Sequence, residues 1–408
     1  MTATPPTLAP LSAQNLYLQP LPPAHTPQPG KENFGRYMLS IPWNNVTGWG
    51  QAKIEPRHDI TVDPLSGVMQ YAGTCFEGMK CYKTEAGDLR LFRPSKNFDR
   101  LKRSAARLGL PCDWDNDELV GLLAKLVSLE SALVPGYDGG NLYIRPTMIE
   151  TGEAYGIKES PYASAALLYI VTSVNLGKAL YASAEEEGKG LKLDACKEFI
   201  RAWPGGTGSY KLGANYGTVT IAKKPGFAMS LWLHSEGKED FISEAGAMNV
   251  FMIKQAADGV LEFVTMSLSN GIVLPGITRE SIIELLRSHG AGEKDFPLEG
   301  MPKNIRVVER DISMSEITSS LADGTLKGMF GCGTGVVVVS IGQIQYNGQL
   351  HTIPHNPLVL LIRDTITGMQ RGKIEHEWSY KVPEWKGVRA EGVAEGKGNE
   401  ERAEDLAA

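Results

Sequence analysis

A single lysine, Lys211, stands in the run Gly206-Thr207-Gly208-Ser209-Tyr210-Lys211-Leu212-Gly213-Ala214-Asn215, which Tyr216-Gly217 closes. Glycine on both sides lets the backbone come close to a ligand, and an amine shielded from water gives up its proton more readily. Those are the needs of a lysine that attacks an aldehyde. Pyridoxal phosphate is the usual aldehyde for such a lysine. It sets three further demands: a cradle for the phosphate, a carboxylate for the pyridine nitrogen and polar groups for the substrate carboxylate.

Three segments answer those demands. Leu274-Pro275-Gly276-Ile277-Thr278-Arg279-Glu280 is a Pro-Gly turn that runs into an apolar-periodic helix. The free N–H groups of Ile277 and Thr278 and the helix dipole would favour an anion there, although many ordinary helix caps look alike. Glu244 is an acid among small and apolar residues (Phe241 to Asn249), where a buried carboxylate needs a partner. Met329-Phe330-Gly331-Cys332-Gly333-Thr334-Gly335 is a glycine-rich run that can form an anion nest. A valine-rich strand follows it, so it is no dinucleotide fingerprint. Arg100, one position off an apolar helix stripe, either reaches into a site or is solvated.

These residues need two α+β units to hold them. Alternation around Tyr37 to Ile41, Leu65 to Tyr71, Thr74 to Tyr82 and Leu89 to Phe92 predicts strands. Ser95 is expected to cap a helix carrying Phe98, Leu101, Ala105 and Leu108, and Asp117 to Leu133 reads as a second amphipathic helix. Asn141 to Ile149 and Ala165 to Val174 look like paired strands. Further strands are expected at Met229 to His234 and Ala247 to Ile253, and a helix at Arg279 to Ser288. The resulting division is a disordered Pro-rich leader (1–30), a small domain (31–181), a linker (182–189), a large domain with the lysine (190–386) and a charged, disordered tail (387–408).

Composition narrows the function. The 408 residues carry 42% hydrophobic and 22% charged side chains, and a net charge of -6 argues against nucleic acid as a partner. No apolar run approaches the ~18 residues that span a bilayer, so no membrane partner is expected. The five cysteines and seven histidines show no metal spacing, and the odd cysteine count suits a reducing compartment. A leader without Arg makes the cytoplasm the expected location, with the mitochondrion the other possibility.

In order along the chain, the motifs resemble those of the branched-chain amino-acid aminotransferases, fold-type IV pyridoxal-phosphate enzymes of eukaryotic type. Beside the Arg201-Ala202-Trp203 to Gly217 segment, Phe76-Glu77-Gly78-Met79-Lys80, Leu91-Phe92-Arg93-Pro94, Tyr143-Ile144-Arg145-Pro146, Gly271 to Gly276, Trp43-Asn44 and Gly48-Trp49-Gly50 carry the likeness. It implies two α/β domains with the cofactor at their interface, in a homodimer. It implies that Lys211 carries the cofactor and shuttles the proton. Glu244 would hold the pyridine nitrogen, and Tyr216 the phenolic oxygen. Arg100, Ile277, Thr278 and Thr334 would bind the phosphate. Thr334 and Gly335 N–H groups would take the substrate carboxylate, while Tyr71, Phe76, Tyr143 and Arg145 would line an aliphatic side-chain pocket. The expected reaction is ping-pong transfer of the amino group between branched-chain L-amino acids and 2-oxoglutarate.

Departures from the family pattern bear on substrate choice. Ala247 stands where the family usually has Thr, beside the substrate carboxylate; Gly335 replaces Ala, and Val336 to Val339 replace a redox CxxC. None removes a reacting group. The alternatives are a specialised-metabolism aminotransferase for an unusual amino or keto acid, and the same fold used for a lyase or a D-amino-acid aminotransferase.

Overall fold

The computed structural model describes residues 10–19, 33–136, 140–154, 163–176, 189–222, 224–293 and 298–385. Two large sheets organise them. The first has eleven strands among the described residues: Tyr17–Leu18, Lys53–Pro56, Tyr37–Asn44, Ala165–Leu176, Gly140–Glu150, Met79–Lys83, Leu89–Phe92 and Ser379–Lys381 in path order, with Asn33–Phe34 beside Ala165–Leu176, Gly48–Trp49 beside Tyr37–Asn44 and Thr74–Phe76 beside Gly140–Glu150. The expected Asn141/Ala165 pairing is its centre, antiparallel over the full length of Gly140–Glu150. Helices Pro94–Arg107 and Asn116–Leu129 cover this sheet, burying Phe98, Leu101, Leu122 and Leu126 against Leu39, Ile41 and Leu168.

The second sheet has nine strands among the described residues: Glu239–Ala245, Met229–Glu236, Leu191–Cys196, Val337–Tyr346, Leu326–Gly333, Asn249–Gln255, Leu261–Thr265 and Ile305–Glu309 in path order, with Gln349–Thr352 beside Val337–Tyr346. Helices Ile277–Ala291 and Leu358–Gln370 pack on one face, where Phe251 and Phe330 stack with ring centroids 4.8 Å apart. A sheet buried on both faces explains why these strands are nearly continuous apolar runs.

Several local expectations change. Leu65 to Tyr71 is not a strand: Gly67–Tyr71 is a short helix, ended by Ala72 at φ 51°. Its start is pressed on Glu150, whose carboxylate a Cβ at Gly67 would overlap. Helix Pro94–Arg107 is entered from Arg93, in the left-handed region at φ 48°, with Pro94 in its first turn; Ser95 is not its cap. A proline needs no N–H partner at that position. Thr74 to Tyr82 is two strands, Thr74–Phe76 and Met79–Lys83, interrupted where Glu77 turns inward.

The domain division also shifts. Ser379–Lys381 returns to the first sheet and pairs with Leu89–Phe92, so the second unit ends before the last strand. Part of the leader is ordered: Tyr17–Leu18 runs parallel to Lys53–Pro56 and Leu11 is buried in the first core. Apolar Leu11, Leu16 and Leu18 among the prolines give that stretch something to bury. The expected linker, except for Lys189, and the expected tail lie outside the described residues.

Helix Pro94–Arg107 and its N-terminal flank bind the two units together. Arg93 donates to Ser281 Oγ and pairs with Glu284, Lys96 pairs with Glu280, Arg100 donates to the Pro275 carbonyl and Arg103 to that of Ser209.

Candidate active site

A cavity of about 610 Å³ opens between the two units. That volume is within the range of small-molecule sites. Of the residues picked out in the sequence, Phe76, Arg100, Tyr143, Arg145, Lys211, Tyr216, Ala247, Ile277, Thr278, Thr334 and Gly335 line it. Two do not. Glu244 is buried outside the lining, and Tyr71 is 53% exposed at the end of the Gly67–Tyr71 helix. The expectation that Tyr71 lines the side-chain pocket fails within one chain: its helix lies on the outer surface of the first unit.

Lys211, in the second unit, is clamped by the first. Its N–H donates to Ser104 Oγ (2.9 Å) on the first unit's helix, and its carbonyl accepts from Phe76 N–H (3.1 Å). The segment is further knotted by Asn215, which donates to the Thr207 and Tyr210 carbonyls. Those bonds fix the backbone and leave the side chain free to reach inward. Nζ lies 3.0 Å from the Tyr216 hydroxyl and 5.1 Å from the Phe76 ring centre.

The Pro-Gly turn forms another part of the wall. Gly276 is the N-cap of helix Ile277–Ala291 and has no side chain to bond the first-turn N–H groups. A Cβ there would come within 2.0 Å of Asn249 Oδ1. Asn249 is tied in turn to the Leu274 carbonyl at 2.8 Å. This is a tight backbone cradle at the positive end of a helix dipole, built to take an anion.

Arg100 meets the same cradle. It is buried, not solvated, and forks onto Glu77, with Nε to Oε1 at 2.7 Å and Nη2 to Oε2 at 2.8 Å. Nη1 donates to the Pro275 carbonyl at 2.9 Å. A guanidinium has five N–H donors, so two remain for a ligand in the cavity. Glu77 also accepts from Asn97 Nδ2 and Gly78 N–H. Burial pushes the Glu77 carboxyl up, but the Arg100 charge and hydrogen bonds outweigh it and hold it below the usual carboxylate range.

Glu244 presents a different balance. Its Oε1 accepts from the Leu274 N–H at 2.8 Å and its Oε2 pairs with Arg201 at 3.1 Å, both groups buried. Burial raises its pKa above the ordinary range; Arg201, the Leu274 N–H, Lys211 and Arg100 pull back without cancelling the rise. Arg201 is thus a counter-ion that the motif contained without a stated role. Glu77, inside the Phe76-Glu77-Gly78-Met79-Lys80 motif, and Ser104 likewise carry no role that the sequence states. An acid or serine in a sequence carries no sign of burial; only Glu77 standing inside a run of apolar and small residues hinted at it.

The remaining wall is the Gly333–Val337 turn. Thr334 Oγ1 donates to the Gly78 carbonyl (3.3 Å) and the Gly335 carbonyl accepts from Lys80 Nζ (2.8 Å). Opposite, Arg145 stacks on Phe76 and Tyr143, its Cζ 4.5 and 5.2 Å from their ring centres, and donates to Tyr143 Oη. Arg145 Nε is buried with no partner among the described residues. Met229, Trp232, Ala247 and Met248 make the rest of the wall largely apolar.

A lysine with a hydroxyl at its amine, an anion cradle and a buried carboxylate around one interdomain cavity define an aminotransferase-type site. A sequence model of the amino-transferase class IV family matches residues 74–344, which contain most of these residues. Curated relatives are branched-chain-amino-acid aminotransferases. The mitochondrial one of Bos taurus is 38% identical (86% of this chain, 85% of that one), that of Dictyostelium discoideum 34% (86% and 89%) and the cytosolic one of Mus musculus 35% (86% of each). The same fold is seen in the Escherichia coli enzyme of that name (TM-score 0.62, 22% identity, 85% of this chain, 100% of that one). It recurs in a branched-chain amino acid aminotransferase solved with pyridoxamine 5'-phosphate (TM-score 0.62, 22% identity, 85% and 99%). The chain belongs to the branched-chain-amino-acid aminotransferase family of class IV, and it is a transaminase.

Proposed function

We propose that this chain transfers amino groups between branched-chain or related aliphatic L-amino acids and 2-oxoglutarate, with pyridoxal phosphate as cofactor. The observation that carries it is Lys211 Nζ at the Tyr216 hydroxyl, lining one cavity together with the Gly276 cradle. The residues present fit that cofactor: Ile277, Thr278, Thr334 and the two spare N–H donors of Arg100 suit the phosphate, Tyr216 the phenolic oxygen, and the layer occupied by Glu244 the ring nitrogen. When bound, the cofactor supplies an aldehyde and an electron sink.

The protein does the rest by position. Lys211 Nζ would take the proton from the amino acid Cα in one half-reaction and give one to the oxo acid Cα in the other, with Tyr216 Oη orienting the amine. Thr334 and Gly335 N–H groups hold the substrate carboxylate so that the Cα–H bond faces Nζ. Phe76 and Tyr143 exclude water and accept an aliphatic side chain, burying apolar carbon being the main gain available there. Arg145, with donors left over, suits the second carboxylate of glutamate or 2-oxoglutarate in the same pocket. A transaminase needs one pocket for both. Tyr71, exposed beside Leu65 and Met69, would act only across the contact of a homodimer. The cytosol is our assignment of compartment, from a leader without Arg; the relatives include cytosolic and mitochondrial forms.

The test is the visible spectrum of the purified protein with pyridoxal phosphate, before and after L-leucine, L-isoleucine or L-valine alone. We expect the cofactor band to form, to be lost in Lys211→Ala, to bleach with these amino acids and to return with 2-oxoglutarate. A band that none of the three bleaches would refute the substrate class; a protein that forms none would refute the cofactor.

A further inference from the structure

Lys80 is a buried lysine that the functional reading leaves without a role. It lies on strand Met79–Lys83 of the first unit, only 8% exposed. No carboxylate pairs with it among the described residues. Its ammonium makes one hydrogen bond, to the Gly335 carbonyl of the second unit at 2.8 Å. The charge that acts on it is another cation, Arg371; burial and that repulsion bring the Lys80 pKa down to about 8, so the group is still mostly charged at neutral pH. A buried cation with no counter-ion is costly unless something negative comes to it.

The carbonyl that Lys80 holds belongs to the turn assigned to the substrate carboxylate. That turn is not at rest by itself. Val337, at its end, sits in the left-handed region at φ 62°, a conformation a β-branched residue rarely adopts. Two bonds across the interdomain gap hold it there, Thr334 Oγ1 to the Gly78 carbonyl and Lys80 Nζ to the Gly335 carbonyl. A Cβ at Gly335 would meet nothing within 4 Å, so that position faces open cavity. A second, smaller cavity of about 20 Å³ is bordered by Lys80, Thr334, Asn97 and Gln370. Gln370 Oε1 is buried with no partner among the described residues. The space suits one water, a further acceptor for a lysine with two N–H donors to spare.

We propose that Lys80 is a positioning residue for the substrate carboxylate: through the Gly335 carbonyl it sets the Thr334–Val336 turn, and its unpaired charge is matched by the carboxylate the turn receives. This rests on the transaminase reading above. It adds that amino acid and oxo acid both depend on Lys80, because each brings the same carboxylate, while the chemistry at Lys211 does not.

The experiment compares Lys80→Met and Lys80→Arg with the wild-type holoenzyme. Both half-reactions are followed by the cofactor band, and binding of 4-methylpentanoate, a carboxylate without an amine, by calorimetry. With Lys80→Met we expect an unchanged cofactor band, a kcat within about threefold, and KM for amino acid and for 2-oxoglutarate raised about 10- to 100-fold, the loss expected of one charge-assisted contact. The 4-methylpentanoate Kd should weaken by a similar factor, and Lys80→Arg should restore much of it. A KM and Kd unchanged in Lys80→Met, or a fall in kcat alone, would overturn the proposal. If the methionine variant does not fold, Lys80→Gln, which also removes the charge, decides: wild-type kcat with raised KM supports the role, unchanged KM overturns it. A wild-type protein that turns over no amino acid, yet binds 4-methylpentanoate through Lys80, would sink the transaminase reading and leave the turn's role standing.

Discussion

Replacing Glu77 with Gln should cost the protein both stability and its grip on the cofactor. Oε1 accepts from Arg100 Nε, while Oε2 accepts from Arg100 Nη2, Asn97 Nδ2 and the Gly78 N–H, all out of water. A glutamine has one oxygen. If that oxygen takes the three donors at Oε2, its NH₂ group faces the Nε–H of Arg100, donor against donor. Arg100 is then a buried charge without a counter-ion, and breaking such a pair costs about 3–5 kcal/mol. For a cooperative unit of roughly 300 residues the unfolding entropy is about 0.6 kcal/mol/K, so the melting temperature should fall by about 5–8 °C.

The pH dependence checks the same pair. The folded Glu77 pKa is depressed, so its contribution is fully present above the ordinary carboxylate range and is lost as pH falls through the folded value. Stability of Glu77→Gln should therefore lose part of the acid-side slope seen in the wild type. Calorimetric scans between about pH 3 and 8 of apo- and holoprotein measure both effects. Cofactor affinity should drop about tenfold or more as Arg100 loses its orientation. Glu77→Leu with Arg100→Met should recover most of the stability but none of the affinity, because two apolar groups leave nothing unpaired. A Glu77→Gln protein within about 1 kcal/mol of wild type, with unaltered cofactor affinity, would refute the argument.

Arg201→Met removes the counter-ion of Glu244, whose pKa burial already raises. The acid limb of the rate profile should then move to higher pH, since Glu244 takes up its proton earlier, and kcat at neutral pH should fall about 10- to 100-fold. Tyr216→Phe takes away the hydroxyl 3.0 Å from Lys211 Nζ; kcat should fall about tenfold or more, with a shifted cofactor absorption band and little change in stability. Gly276→Ala places a Cβ about where Asn249 Oδ1 now lies, 2.0 Å away. Equilibrium dialysis should show weakened cofactor binding, while a variant that binds normally would show that the cradle is not where the phosphate sits.

The chain's periodicities and its ordered motifs were enough for two α+β units, most of the helices and strands, and the selection of Lys211, Tyr216, Thr278 and Thr334 as residues of one cavity, because those signals are local. The glycines around Lys211 and the Pro-Gly turn before Ile277 mark where backbone must approach something closely, and each is legible within a few residues. Burial and partnership are not local. Arg100 sits 23 residues from Glu77, Arg201 pairs with Glu244 of strand Glu239–Ala245, and Lys80 meets Gly335 across 255 residues; only folding brings each pair together and decides which charges water can reach. The same holds for Tyr71, whose aromatic ring reads as pocket lining in the sequence and is carried to the surface by a short helix pressed on Glu150. The residues of the cavity could thus be picked out from residue type, spacing and the family resemblance, whereas their electrostatics came from long-range packing, which alone sets the distance and the dielectric between charges.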